Sequence, residues 1–235
     1  MKSKLTPIII GIAGAAMILP SSAAVVTWGT WTAVANNTAI QTLGGYTTYG
    51  GVNFNGSTTT INNGSTDVTF TGIAQNASGT AAGITVGNSG FAFQSTASNN
   101  SNVVSAVGSP QTWTTVLDRV IGDDNNSATI SLTGLTSGSS YYVQFFSSAP
   151  DANILNNSII ASGGVDSPTF GPHASGGTKY IIATFTADGA SQSFSVTGTE
   201  PTYSALVIGS KVPEPSAALL GGLGLLGLLR RRRNS

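Results

Sequence analysis

Along most of the chain, short alternating or β-branched apolar stretches are separated by clusters of Gly, Asn and Ser. Alternation over about four to eight residues marks a half-buried strand. The pattern predicts strands over Val25–Thr32, Thr58–Ile61, Asp67–Thr71, Gly83–Val86, Phe91–Phe93, Ala128–Leu132, Tyr141–Ser147, Tyr180–Ala187, Ser193–Thr197 and Ala205–Ser210. Between them "NNG" at 62–64, "SGG" at 162–164 and "ADG" at 187–189 supply residues that accept the positive φ of tight turns. One stretch departs from this rhythm. In "TWTTVLDRVIGDDNN", Trp113, Val116, Leu117, Val120 and Ile121 repeat at helical spacing and Gly122 is placed to stop a helix. It predicts one short helix covering an end of the fold, with Asp118 and Arg119 on its solvent side. Many short strands and one helix make the class all-β, as a β-sandwich or jelly roll.

The sharpest local pattern is "ISLTGLTSGSSYYVQFF". Its Leu132, Leu135, Gly138 and Tyr141 resemble the strand-turn-strand corner of fibronectin type III-like sandwiches. The resemblance implies a turn leucine plugging the core and a tyrosine hydroxyl tying the corner to backbone. No Pro-rich or charge-rich linker interrupts 25–210, so the body reads as one domain, with the Ser/Asn stretch at 95–102 as a long loop.

Composition narrows the function. Only 8% of residues are charged, yet 40% are hydrophobic, so a packed core forms where the charge content alone would suggest disorder. The chain has no cysteine, which removes disulfides and thiol chemistry. Between Val25 and Lys211 stand three basic and eight acidic residues, a net charge of minus five. A mildly acidic body with isolated cations has no stripe of counter-charge for phosphates, and nucleic acid is excluded as a partner.

The ends carry addresses. "MKSKLTPIIIGIAGAAMILPSSAAVV" has Lys2 and Lys4 as a positive start, an apolar run from Ile8 to Leu19, then Pro20 and small residues. These three regions in order predict a signal peptide over 1–24, cleaved after Ala23 or Ala24, and hence an exported protein. At the other end Ser216–Leu229 is an uncharged apolar run. As a helix it would reach roughly 20 Å, short of a hydrocarbon core of roughly 30 Å.

Before that run stand Val212, Pro213, Glu214 and Pro215, and after it Arg230, Arg231, Arg232 and Arg233. Motif, short Leu/Gly/Ala helix and arginine cluster together resemble the PEP-CTERM sorting signal of exported bacterial proteins, over 211–235. That signal is also catalogued as an ice-binding protein C-terminal domain, a label that belongs to the tail and implies no ice-binding by the body. The resemblance implies a substrate of an exosortase in the inner membrane, with Val212–Pro215 as the recognition element, the helix as a transient membrane stop and Arg230–Arg233 as the retention charge. The Tyr141 corner together with "YIIATFTADGASQSFSVTG" is similar to jelly-roll bodies that precede such tails.

Chemistry is harder to find. The single histidine, His173 in "FGPHASGG", has no nucleophile elbow beside it, and one His without Cys cannot make a usual zinc set. Asp118, Asp123, Asp124 and Asp151 sit in helix-end or loop contexts with nothing to pair them across a cleft. Asp123 and Asp124, followed by two asparagines, either form a turn or offer oxygens to Ca²⁺; the turn is the plainer reading because the order of a known calcium loop is missing. Trp28, Trp31, Tyr46 and Tyr49 concentrate aromatics near the mature start. Exposed, they would stack on sugars; buried, they fill a core, and burial is favoured. No catalytic residue, metal site or cofactor is expected. The reading is a non-enzymatic exported protein of the cell envelope or extracellular matrix, associated with extracellular polysaccharide. The alternatives are a carbohydrate- or Ca²⁺-binding module and a carbohydrate-active hydrolase.

Overall fold

The computed structural model describes residues 24–46, 48–96, 110–123, 127–148, 157–170 and 178–211. The expected signal peptide, apart from Ala24, and the sorting tail from Val212 onward lie outside them, as do His173, Asp124 and Asp151.

In chain order the strands are β1 (Thr27–Trp28), β2 (Thr32–Ala33), β3 (Thr48–Phe54), β4 (Thr59–Asn62), β5 (Asp67–Ile73), β6 (Ser78–Ala81), β7 (Ile84–Ser89), β8 (Phe93–Thr96), β9 (Arg119–Gly122), β10 (Ala128–Thr133), β11 (Ser140–Ser148), β12 (Asn157–Ser162), β13 (Val165–Asp166), β14 (Thr178–Thr186), β15 (Ser191–Thr199), β16 (Thr202–Tyr203) and β17 (Ala205–Ser210). Helix α1 (Pro110–Leu117) lies between β8 and β9. The larger sheet runs β1-β14-β11-β17-β3-β5-β4, with β2 also on β14; the second runs β13-β12-β15-β10-β7-β6; β16-β9-β8 form a small third. Among the described residues only β3 and β5 pair in parallel. From β10 onward the long strands alternate between the two large sheets, which lays the sheets face to face as an open all-β sandwich in the jelly-roll manner.

Strand β11 explains the layering. Tyr141, Val143 and Phe145 point into the core between the sheets, where the Phe145 ring meets Phe194 of the second sheet edge-on at 5.1 Å. Tyr142 and Phe146 point the other way, into a second apolar cluster. A strand buried on both faces reads as a nearly continuous apolar run, which is how "YYVQFF" reads. The second cluster is covered by α1 and by residues 34–46, with Trp113 5.4 Å from Phe146 and 6.0 Å from Phe70. The second sheet is one-sided. On β15, Gln192, Phe194 and Val196 are buried while Ser191, Ser193, Ser195, Thr197 and Thr199 face solvent, so hydroxyls supply the hydration that charge supplies elsewhere.

The expected corner forms. Leu135 is buried in the core and the Thr136 N–H donates to the Tyr141 hydroxyl at 2.9 Å. Gly64 and Gly164 take the positive φ expected of their turns, whereas Gly189 does not.

The expected helix is corrected. It spans Pro110–Leu117 and lies on the outer face of the larger sheet, not over an end. Beyond Asp118 the chain turns into β9, with Val120 and Ile121 both fully buried in extended conformation. Their β-branched side chains favour a strand, and Gly122 pairs with Phe93 and lies under its ring. Strand β3 was not expected because "YGGVNF" carries two glycines. A Cβ at Gly51 would sit 2.5 Å from the Phe70 ring, so the glycine marks close approach inside a sheet and not a turn.

Candidate functional site

The four aromatic candidates separate into two places. Trp28 is half-buried against Phe145 and Phe194, and its indole N–H donates to the Val165 carbonyl at 3.2 Å. Trp31 donates to the Pro168 carbonyl at 2.9 Å with its ring 4.5 Å from Phe170. Both indoles thus fasten β1 and β2 to the neighbourhood of β13. Tyr46 and Tyr49 lie on the other side of the larger sheet, where both rings approach Tyr142 and the Tyr49 hydroxyl donates to the Tyr46 carbonyl. Burial raises the pKa of Tyr46 and Tyr49. Tyr142 is raised far more, first by burial and then by the neighbouring Tyr49 and Tyr46. These rings are packing groups, with the polar ends of Trp28, Trp31 and Tyr49 engaged, and they form no continuous platform.

Asp123 is fully buried at the end of β9, with its N–H donating to the Pro201 carbonyl at 3.2 Å. Close by in the fold, β11 ends in a buried hydroxyl cluster. Ser147 donates to the Thr202 carbonyl at 2.6 Å and Thr202 donates to the Ser148 carbonyl at 2.7 Å. The Ser148 hydroxyl lies 2.9 Å from that of Thr178 and 3.1 Å from that of Ser204. The bonds close on one another, as buried polar groups require. Among the described residues no group of three His, Asp or Glu is placed to hold a metal ion.

A polar cleft of about 490 Å³ opens between the β3–β4 connection and the α1–β9 junction. Asn53, Asn55, Ser57, Thr58, Asp118 and Arg119 contribute to its wall. Asn53 is almost completely buried; its amide nitrogen donates to the Ser57 carbonyl at 3.2 Å, and its Oδ1 has no hydrogen-bond partner among the described residues. Asp118 is half-buried here, not on an open helix face. Sequence reading missed the cleft because "NFNGSTTT" shows only a turn dipeptide among common loop residues. The unusual feature, an asparagine in the last buried turn of an unrecognised strand, depended on seeing β3.

None of these sites includes the tail. The PEP-CTERM protein-sorting motif family matches residues 211–233, which contain Val212–Pro215 and all four terminal arginines. The chain carries a PEP-CTERM protein-sorting motif. Its processing partner is therefore an exosortase, and the signal implies export with membrane-associated sorting. The match covers the tail alone. No curated protein and no solved structure matches the chain. Among the described residues no helix is long and apolar enough to cross a membrane. The sorting signal thus defines how the protein is handled, and the body's part must be argued from its own residues.

Proposed function

We propose that this PEP-CTERM protein is a non-enzymatic component of the cell envelope or of an extracellular polysaccharide matrix. A signal peptide at 1–24 exports it, the sandwich at 25–210 is the delivered body, and 211–235 is the sorting segment. The observation that carries this reading is the motif at 211–233 behind an exported-type, cysteine-free body. A hydrolase would need its groups assembled as a set, and glycoside hydrolysis draws on two carboxylates flanking one bond. The polar cleft contains one carboxylate, Asp118, while Asp123 is buried elsewhere.

Fractionation of a host that carries an exosortase tests the address. Wild-type protein is expected in the envelope exterior or medium, and Glu214→Ala at the inner membrane; identical distributions would remove the motif's role. A turnover screen of the exported protein on polysaccharides and model esters tests the rest. Saturable turnover abolished by Asp118→Ala, Asp123→Ala, Asp124→Ala or His173→Ala would make the protein an enzyme.

A further inference from the structure

We infer that the cleft between the β3–β4 connection and the α1–β9 junction binds an uncharged sugar residue through its adjacent hydroxyl groups. This deepens the matrix reading by naming a binding site on the body. Volume comes first: about 490 Å³ falls within the roughly 300–1,000 Å³ of small-ligand sites and suits a glycan end or one to two sugar units.

The lining has a consistent chemistry. Apart from Gly56, every lining residue carries a polar side chain: two asparagines, four hydroxyl residues, Asp118 and Arg119. No aromatic or aliphatic residue lines it, so recognition rests on hydrogen bonds and not on ring stacking. One carboxylate and one guanidinium offset each other, which leaves no net charge to select an ion. A carboxylate accepts from hydroxyl groups, a guanidinium only donates, and amides and hydroxyls do either, so neighbouring sugar hydroxyls find both kinds of partner.

The floor supplies the second observation. Asn53 is 1% exposed, and its Oδ1 is an acceptor without a partner among the described residues. Such a group costs roughly 1–3 kcal/mol when left unsatisfied, and a place where that cost persists calls for an explanation. Gly56 lies directly above it. A Cβ at Gly56 would stand 2.4 Å from Asn53 Oδ1 and 2.0 Å from Nδ2, so only a residue without a side chain fits over that amide. A ligand hydroxyl entering over Gly56 would supply the missing donor. The Asn53 amide nitrogen, fixed by the Ser57 carbonyl, holds the oxygen in place for it.

The test uses the full chain in a polyoxyethylene detergent, which presents no sugar headgroup. Probes are neutral oligomers of glucose, galactose and mannose, a galacturonate oligomer and Ca²⁺ alone, with binding followed by saturation-transfer NMR and titration calorimetry. At least one neutral oligomer is expected to bind, with affinity insensitive to salt. Asp118→Asn is expected to weaken it at least tenfold and Thr115→Val to weaken it measurably, both without lowering the melting temperature; Trp31→Phe, remote from the cleft, should bind as wild type. If Asp118→Asn loses the fold, Thr115→Val decides alone. Salt-dependent binding of galacturonate only, binding of Ca²⁺ only, no binding of any probe, or wild-type affinity in the cleft variants would each overturn the inference. Bound oligomer that is cleaved would keep the site but overturn the non-enzymatic reading, and a failed localisation test would leave the site standing.

Discussion

Gln144, fully buried in the middle of β11, clamps the segment around Gln41 onto the larger sheet. Its Oε1 accepts from the Gln41 N–H at 3.0 Å while its Nε2 donates to the Ala39 carbonyl at 2.6 Å. Both ends of the amide are used, so a polar residue in an apolar layer costs little and fixes the register of the covering segment. Gln144→Leu keeps the volume but leaves the Gln41 N–H without its acceptor and the Ala39 carbonyl with only a long bond, 3.4 Å, from the Gln41 side-chain amide. Urea unfolding of the purified protein should show a loss of about 2–4 kcal/mol. A change below about 0.5 kcal/mol, the scale of surface substitutions, would mean that the covering segment is not held there.

Trp113 offers a contrast within the same layer. Its ring is completely buried against Phe146 and Phe70, but its indole N–H has no hydrogen-bond partner among the described residues. Packing, and not hydrogen bonding, is then its contribution. Trp113→Ala should cost about 3–5 kcal/mol, whereas Trp113→Phe, which also removes the unsatisfied donor, should cost about 1 kcal/mol. Equal losses in the two variants would assign the N–H a role that its surroundings do not explain.

Alkaline pH should loosen the same layer. The Tyr142 hydroxyl donates to the Gln41 carbonyl, and burial with two neighbouring phenols raises its pKa in the folded state well above the unfolded value near 10. A group raised in this way contributes stability that is fully present below about pH 10 and is lost as pH rises beyond it. The unfolding free energy should therefore fall above about pH 10, and more gently in Tyr142→Phe. Tyrosinate absorbance in the folded protein should develop late. Parallel pH profiles for wild type and Tyr142→Phe would contradict the assignment.

These predictions centre on the covered face, which is where the sequence was least legible. Alternation in "SFSVT" and the double-sided run "YYVQFF" identify β15 and β11, and Leu135 with Tyr141 identifies the corner between β10 and β11, because each depends on local period and a nearby turn. Val120 and Ile121 fit helical spacing after Leu117 as well as they fit a buried strand, and only pairing with β8 and β16 decides between them. Gly50 and Gly51 likewise disguise β3, since the reason for a small residue is the Phe70 ring of a neighbouring strand. The cleft was hidden for the same reason. Asn53 gains meaning only once β3 is seen to end beneath Gly56, and Asp118 only once α1 stops one residue before it. The tail needed no tertiary information, because its motif, apolar run and arginines are consecutive in sequence.

Sorting through the tail is the central claim, and the intact mass of exported protein tests it most directly. In a host with an exosortase, material recovered outside the cytoplasm should begin near Val25, and its mass should exclude Arg230–Arg233. Full-length chain with both ends present in the exported fraction would contradict the account.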